Sequence, residues 1–516
     1  MPHRYPRPSL PARRQLRHAC APLLFAGLSA ACAAHDWNSP AASPSRSPTV
    51  TATATTQAPP DSPPWSGRLW AGPATGAPPA PSATDCRRTP QTVELPGPWA
   101  EARRRRHAGS SAAAPRERVE DAARGALGKA EGSPLRAPPA AMATTTNEAA
   151  DAALARTDPA PSAVEQSAAS VTAGVVDDNA DFGEYLAYRA RHPGLVVREL
   201  DLRDRVRLTV QDRDGRAVPD AEVQVYGSAG GAPLVARTDA GGEVWLHPRA
   251  ARLAGPVFEV RVSKAGAGDG PLHGRALWRP GQRDRLQVTL DGAAALEPVR
   301  LDLVFLVDAT GSMADEIGKL RDSMRAMAAQ IGALPSRPSI CFGLVAYRDR
   351  GDQFFVRAQD FTDDLGAFQQ GLAALHADGG GDTPEALNEA LHTAVHRLSW
   401  RGGDATRLVV LVADAPPHLD YGAPWYDDDA QGAVARGIKL LAIGASGLDP
   451  SGEYIFRQLA QFTGGRFVFL TYADRRRPAS GPGRETVHDV RDYSVETLDR
   501  LVVRLVREEL ARRPDA

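Results

Sequence analysis

A short turn in the carboxyl-terminal half of the chain carries one carboxylate and two hydroxyls. Asp308, Thr310 and Ser312 occupy alternate positions directly after the apolar run 303–307, which is typical of a buried strand. In open α/β sheets, ligands bind outside the carboxyl ends of the strands. Side chains that offer only oxygen atoms suit a hard divalent cation. The turn is therefore predicted to bind a metal ion.

Two further polar side chains are predicted to reach the same edge of the sheet. Thr383 lies in the glycine-rich segment 379–384 before a helical pattern, and Asp414 follows the apolar strand pattern 408–413. Together with the turn at 308–312, two carboxylates and three hydroxyls can supply an octahedral site completed by water. Hydroxyls are neutral ligands, so such a site keeps positive charge and is receptive to an external carboxylate. The small number of carboxylates favours Mg²⁺, with Mn²⁺ or Ca²⁺ as alternatives.

Strand and helix patterns alternate from residue 299 onward. The predicted strands are apolar runs at 301–307, 339–347, 407–413, 438–443 and 466–470. Apolar residues recur at helical spacing in three other segments. These predicted helices cover 317–331, a segment that starts near Pro384 and reaches Val395, and 495–510. Apolar strands that alternate with helices predict an α/β fold with a doubly wound, mainly parallel Rossmann-like sheet covered on both faces.

Together the five polar residues resemble the metal-ion-dependent adhesion site of von Willebrand factor A (VWA) domains. The resemblance rests on the Asp-x-Thr-x-Ser pattern at 308–312, on Thr383 and on Asp414, and it covers residues 299–512. It implies that the three hydroxyls ligate magnesium and that the two carboxylates act directly or through water. It also implies a protein ligand that presents an acidic side chain to the metal.

Each of these residues has a simpler interpretation when it is taken alone. Asp308, Thr310, Ser312 or Thr383 could cap a helix, and Asp414 could be a turn residue before two prolines. Each of these interpretations is credible singly, but all five together would require an improbable coincidence. The metal site is therefore the preferred interpretation of the set.

A long loop after Asp414 carries the polar or aromatic residues His418, Tyr421 and Trp425. They are candidates for contact with a bound partner, and packing within the loop is the alternative interpretation. The acidic run 427–429 is predicted to start a helix, where negative charge is favourable.

Residues 201–292 have a different pattern. Segments that alternate apolar and polar residues predict half-buried strands at 206–210, 221–225, 257–262 and 286–290. Turn signals between them favour a small antiparallel β-sandwich. The stretches 210–223 and 238–244 resemble repeat-module sandwiches of bacterial surface proteins, which are related to the carboxypeptidase regulatory and transthyretin-like group. The resemblance implies a structural or presenting module, in which Asp239 is interpreted as a turn residue rather than a calcium ligand.

The amino terminus is typical of a secretion signal. Residues 1–32 combine a basic segment with the apolar run 20–31, which is too short to span a membrane as a helix. The segment ends in Leu-Ser-Ala-Ala-Cys, which resembles a bacterial lipoprotein cleavage site, although the usual leucine lies one place too early. Lipidation of Cys32 is predicted, and plain cleavage at small residues is the alternative. Attachment to a membrane would then be by the lipid anchor.

Residues 33–180 are rich in Ala, Pro, Ser and Thr and lack sustained periodicity. Such a composition cannot bury enough apolar surface to offset its ordering entropy, so a disordered spacer is predicted. The cysteines Cys20, Cys32, Cys86 and Cys341 are interpreted as too few and too scattered for a disulfide framework or a zinc site. Cys341 is predicted to be a small buried apolar group.

Composition and motifs narrow the class of function. The formal net charge of -1 and the pI of about 6.9 give no indication of nucleic-acid binding. No Ser-His-Asp signature, phosphate-binding Gly-Lys motif or His-Glu-x-x-His is found, so an enzyme is not expected. The leading hypothesis is a lipid-anchored protein of the cell envelope, facing the periplasm or exposed at the surface, that binds a protein through a divalent metal. The alternative is a metal-independent envelope scaffold.

Overall fold

A computed structural model of the chain describes residues 86–95, 171–266, 270–282, 284–295 and 297–514. The signal segment, Cys32 and most of the predicted spacer lie outside the described residues. Within the ranges that are described, no helix combines the length and apolar character needed to cross a membrane.

The strands and helices are numbered in chain order. The strands before residue 299 are β1 (Thr92–Leu95), β2 (Thr172–Val176), β3 (Val206–Gln211), β4 (Glu222–Gly227), β5 (Leu234–Arg237), β6 (Glu243–Leu246), β7 (Phe258–Lys264), β8 (Leu272–Trp278) and β9 (Arg285–Thr289). The later strands are β10 (Arg300–Asp308), β11 (Ser339–Tyr347), β12 (Val356–Thr362), β13 (Ala405–Ala413), β14 (Ile438–Gly444), β15 (Arg466–Thr471) and β16 (Glu496–Thr497). The helices are α1 (Phe182–Arg191), α2 (Ile317–Gly332), α3 (Leu365–Ala373), α4 (Leu387–His396), α5 (Tyr426–Arg436), α6 (Pro450–Thr463) and α7 (Leu498–Leu510).

A nine-stranded sheet organises the carboxyl-terminal half, in the order β1-β12-β11-β10-β13-β14-β15-β2-β16. The five central strands of the sheet run parallel to one another; they are β11, β10, β13, β14 and β15. The four outer strands pair antiparallel. The structure therefore confirms a mixed α/β fold with a large, mostly parallel sheet. The antiparallel strand β12 was missed because its sequence mixes charged and apolar residues.

Helices cover both faces of this sheet. Along β10, Leu303 and Phe305 pack in the core shared with α2, α3 and α7, while Val304 and Leu306 pack in the core shared with α4, α5 and α6. All four side chains are completely buried. Burial on both faces explains why the parallel strands are continuous apolar runs rather than alternating ones.

Two strands of the sheet come from the range predicted as a disordered spacer, which corrects that prediction for their residues. β1 pairs with β12 at one edge, and β2 pairs with β15 and β16 near the other. They are four and five residues long and lie in sequence rich in small and polar residues. Periodicity gave no signal because such short strands are held by backbone pairing to an existing sheet rather than by an apolar face of their own.

A disulfide joins Cys86 to Cys341, whose Cα atoms are 6.0 Å apart. The predictions that the cysteines do not pair and that Cys341 is a simple apolar group were therefore wrong. The two residues are 255 positions apart in the chain. Spacing could not reveal the pair, because only the addition of β1 beside β12 brings Cys86 close to β11.

Residues between α1 and β10 form two small sheets, with the orders β6-β3-β9 and β5-β4-β7-β8. Each of the four predicted strands is present close to its predicted position. The pairings are antiparallel except that β3 and β9 run parallel, which departs from the predicted all-antiparallel arrangement. Leu208, Val223 and Val260 from these sheets are completely buried and belong to their common core.

Asp239, in the turn between β5 and β6, stabilises that turn. Its Oδ1 accepts hydrogen bonds from the backbone nitrogens of Gly241 and Glu243, both at 2.9 Å. This confirms its interpretation as a turn residue. Its Oδ2 also lies 2.7 Å from Lys439 Nζ, near the start of β14.

Buried ion pairs fix the small sheets to one end of the large sheet. Asp220, just before β4, pairs with Arg407 Nη1 at 2.8 Å, near the start of β13. Lys439, which pairs with Asp239, lies one residue further along in the neighbouring strand β14, where Ile438 is the residue opposite Arg407. Both cations lie at the amino-terminal ends of parallel strands, so the small sheets pack at the end opposite to the turn at 308–312.

Candidate metal centre

The predicted metal-binding turn lies at the carboxyl-terminal edge of the large sheet. β10 ends at Asp308, whose side chain is completely buried. Thr310 donates to Asp308 Oδ1 from its backbone nitrogen at 2.9 Å and from its hydroxyl at 2.7 Å. Residues 311–315 then form a 3₁₀ turn that leads into α2. The turn itself therefore fixes one oxygen of the carboxylate.

Hydrogen bonds connect four of the five predicted ligands. Thr310 Oγ1 lies 3.0 Å from Ser312 Oγ, and Ser312 Oγ donates to Asp414 Oδ1 at 3.1 Å. Asp414 directly follows β13, which is the neighbour of β10 in the sheet. Asp308, Thr310, Ser312 and Asp414 thus form one continuous cluster because two adjacent parallel strands end at the same edge.

Thr383, the fifth predicted ligand, is placed differently. It lies on an exposed loop, and within the described residues no hydrogen bond joins it to the other four. The glycine segment before it does reach the turn, since Gly311 N donates to Gly379 O at 3.0 Å. Gly380 has a φ of 71°, and a Cβ there would lie 3.3 Å from Thr310 Cβ. The loop that carries Thr383 therefore borders the cluster.

Glu385 is a member of the site that the sequence analysis missed. Its side chain is buried, and a Cβ on Gly380 would lie 2.9 Å from Glu385 Oε1. Burial, followed by the charges of Asp308 and Asp349, raises the pKa of Glu385 to about 9. The Gly-Gly-Asp-Thr-Pro-Glu sequence carried the signal, because its glutamate follows the predicted ligand Thr383 by two positions.

Buried oxygens without partners indicate where a cation fits. Asp308 Oδ2 and Glu385 Oε2 are buried, and neither accepts a hydrogen bond of normal geometry in the described part of the chain. The Tyr347 hydroxyl is also buried without such a bond, and its interaction with Asp308 lowers the pKa of that carboxyl less than burial raises it. Burial, with the charge of Asp414 as second cause, raises the pKa of Asp308 to about 7. Burial raises the pKa of Asp414 as well. Unpaired buried carboxylates are unfavourable, and oxygens from carboxylates and hydroxyls are the ligands that a hard divalent cation prefers.

The aromatic and imidazole side chains of the following loop contact the protein itself. His418 and Tyr421 are buried and stacked, with ring centroids 3.6 Å apart. The Tyr421 hydroxyl lies 2.8 and 2.9 Å from the two oxygens of Asp349. The guanidinium of Arg198 lies 4.6 Å from the ring centroid of Trp425. These contacts favour packing within the loop over direct contact with a partner.

The fold and the site define a class of domain. A mostly parallel sheet with helices on both faces carries a cluster of carboxylates and hydroxyls where two adjacent strands end. Residues 302–473 match the family model of the von Willebrand factor type A domain. The chain therefore contains a VWA domain, and the matched range includes the five predicted ligands and Glu385.

Two curated proteins are similar to part of the chain. The alpha-protein kinase vwkA of Dictyostelium discoideum is 28% identical over 166 residues, which cover 31% of this chain and 25% of that protein. The ariadne-like RING finger protein R811 of Acanthamoeba polyphaga mimivirus is 33% identical over 144 residues, which cover 27% of this chain and 13% of that protein. The chain spans a quarter or less of the length of these relatives.

Among solved structures, the pilus adhesin SpaC of Lactobacillus rhamnosus GG in its open conformation aligns with 40% of this chain and 29% of that protein. The sequence identity is 14% and the TM-score is 0.26. A second form of the same adhesin gives 12% identity and a TM-score of 0.25. Scores of this size carry no argument about function, so the site is interpreted from its own residues.

Proposed function

We propose that this chain is a non-enzymatic binding protein whose VWA domain uses a divalent cation, preferentially Mg²⁺, to bind a protein partner. The observation that carries the proposal is the hydrogen-bonded cluster of Asp308, Thr310, Ser312 and Asp414 with the buried, unpaired Asp308 Oδ2. These four residues would hold the cation, and Thr383 is proposed as a fifth ligand from its bordering loop. Mn²⁺ or Ca²⁺ would suit the same oxygens.

The burial of the cluster is graded towards solvent. Asp308 and Thr310 are completely buried, whereas Ser312 is exposed. The open side at Ser312 is therefore where an acidic side chain of a partner would approach. When bound, the cation supplies positive charge that attracts such a carboxylate.

The residue types in the cluster support binding rather than catalysis. The hydrogen-bonded cluster consists of carboxylates and hydroxyls, and it contains no imidazole, thiol or amine. Carboxylates that bind a metal stay ionised and make poor general bases near neutral pH.

Partner binding is expected to depend on the metal. Mature protein immobilised on a resin should retain a partner from envelope extracts in Mg²⁺. In EDTA the retained amount should be at least about tenfold lower, which corresponds to a loss of ~1.4 kcal/mol or more of binding free energy. Adding Mg²⁺ in excess of the EDTA should restore retention. Quantitative mass spectrometry of the eluates measures the change. Retention that is equal with and without EDTA would favour the metal-independent scaffold and contradict the proposal.

We further propose that the protein is exported and attached to the cell envelope through a lipid on Cys32, facing the periplasm or the surface. Cys32 lies outside the described residues, and the basic and apolar amino-terminal segments support export. The disulfide between Cys86 and Cys341 supports an oxidising compartment, since structural disulfides are rare in the cytosol.

The mature amino terminus and the thiols test this location. Mass spectrometry is expected to find a lipid-modified Cys32 as the first residue, and Cys86 and Cys341 should react with an alkylating agent only after reduction. An unmodified chain that starts at Ala33 would remove the lipid anchor. Alkylation of Cys86 without reduction would remove the support for an oxidising compartment.

A further inference from the structure

A second group of metal-ligating side chains lies between helices α4 and α5, outside the site that follows β10. His392 and His396 are one helical turn apart on α4, so they lie on the same face of that helix. Asp429 lies in the first turn of α5. His392 Nδ1 is 2.9 Å and His396 Nε2 is 3.0 Å from the same atom, Asp429 Oδ1.

The burial of this cluster resembles that of a bound-ion site with one open side. The Asp429 side chain is 3% exposed, and the two histidines are 26% and 29% exposed. Asp429 Oδ2 is buried, and among the described residues it has no hydrogen-bond partner. A buried carboxylate oxygen normally has a donor, a water molecule or an ion beside it. Asp429 Oδ2 is therefore available as a ligand for a cation.

The spacing of the ligand atoms fits a small ion. One ligand atom from each of the three residues lies within 4.8 Å of the others. Ligand atoms ~2.0–2.1 Å from a tetrahedral zinc ion are about 3.3 Å apart. The two nitrogen–oxygen separations, 2.9 and 3.0 Å, are a few tenths of an ångström shorter than this. Gly432 on α5 permits this approach, since a Cβ there would lie 2.6 Å from His396 Cε1.

Hydrogen bonding alone explains less of the cluster. One carboxylate oxygen can accept from two imidazoles only if each ring carries its proton on the facing nitrogen. This arrangement still leaves Asp429 Oδ2 unpaired. Glu389 lies one turn before His392 on α4, and both of its oxygens are buried without a partner in the described residues. Helix α4 thus carries a second buried carboxylate one turn from His392.

We propose that His392, His396 and Asp429 form a binding site for a borderline transition-metal ion, with Zn²⁺ as the preferred ion. Imidazole nitrogens favour zinc over magnesium, which separates this site from the oxygen cluster at the end of β10. Three protein ligands leave one position for water or an external ligand. The ion links α4 to α5. Helix α4 follows the loop that carries Thr383, and helix α5 follows the loop after Asp414.

Zinc titration of the mature protein without a histidine tag tests the proposal. In excess Mg²⁺, competition with a chromophoric chelator should show one Zn²⁺ per chain. The double variant His392→Ala/His396→Ala is expected to lower the zinc affinity at least about 100-fold, and Asp429→Asn about tenfold or more. Replacement by Co²⁺ should give the absorption bands of a low-symmetry site with nitrogen and oxygen ligands, and the double variant should lose them.

Two matched variants separate this site from others. His376→Ala removes an exposed histidine outside the cluster, and Asp308→Asn alters the oxygen site. Both are expected to bind zinc as the parent does. The proposal is overturned if the parent binds no zinc at ~10 µM free ion, a concentration that saturates a site with a sub-micromolar dissociation constant, or if the double variant binds it equally well. If the double variant does not fold, Asp429→Asn and the cobalt spectrum of the parent decide the question.

Discussion

Asp308→Asn is expected to lower the affinity of the protein for Mg²⁺ about 100-fold or more, equivalent to ~2.7 kcal/mol, and to leave the VWA domain folded. The substitution keeps the size of the side chain and an oxygen that can accept the two hydrogen bonds from Thr310. It removes the negative charge and replaces one carboxylate oxygen by an NH₂ group, which does not bind a cation. Isothermal titration calorimetry of the parent and the variant measures the difference.

Thermal unfolding should show the opposite order of stability with and without metal. Without metal, the variant is expected to melt at the same temperature as the parent or higher, because the Asp308 charge is buried near Asp414 and Glu385. Mg²⁺ at 100 times its dissociation constant should stabilise the parent by ~2.7 kcal/mol. The variant should gain little.

The exposed carboxylate of Asp363 provides the control for this test. Asp363→Asn removes one negative charge from the same domain and is expected to keep the magnesium affinity and the metal-dependent stabilisation of the parent. Equal stabilisation of Asp308→Asn by Mg²⁺ would show that the cation binds elsewhere. The cluster after β10 would then have to be a network of hydrogen bonds only.

Arg401→Met is expected to destabilise the protein by ~3–5 kcal/mol, because it leaves a buried carboxylate without its partner. The Arg401 side chain is 1% exposed, and its Nε donates to Asp302 Oδ1 at 2.6 Å. Asp302 belongs to the central strand β10. The same guanidinium also donates to the carbonyl oxygens of Leu301 and Ser339. Urea unfolding followed by circular dichroism measures the loss.

Two further variants identify the cause of that loss. Arg261→Met breaks an exposed ion pair with Glu259 and is expected to leave the unfolding midpoint unchanged. The double variant Asp302→Leu/Arg401→Met should recover part of the stability, since it removes the isolated charge as well. An Arg401→Met protein that unfolds at the same urea concentration as Arg261→Met would contradict the assigned role of the pair.

The parallel part of the sheet could be predicted because its strands are buried on both faces. β10 and β13 are therefore apolar runs, and the polar residues that follow them, Asp308 and Asp414, share one edge. The order of strands and polar residues in the sequence was enough to predict that these four candidate ligands, Asp308, Thr310, Ser312 and Asp414, lie together. Glu385 was missed although it follows Thr383 by two positions, because only the folded glycine loop shows that its side chain is buried beside Gly380.

The edges of the sheet were not predictable by the same reasoning. β1 and β2 are short and pair with strands far along the chain, so their sequences show neither an apolar run nor a clear alternation. The disulfide depends on the same distant pairing. Long-range backbone pairing is thus the part of this fold that the local sequence pattern leaves undetermined.

The outer strands β1 and β2, which precede the VWA range in the sequence, have a practical consequence for recombinant expression. A fragment limited to residues 299–512, the range that the sequence pattern selects, would lack β1 and β2. It would expose the unpaired backbone of β12 and β15 and leave Cys341 as a free thiol. Unprotected strand edges favour intermolecular pairing, so aggregation of such a fragment would reflect its truncation and not the properties of the intact protein.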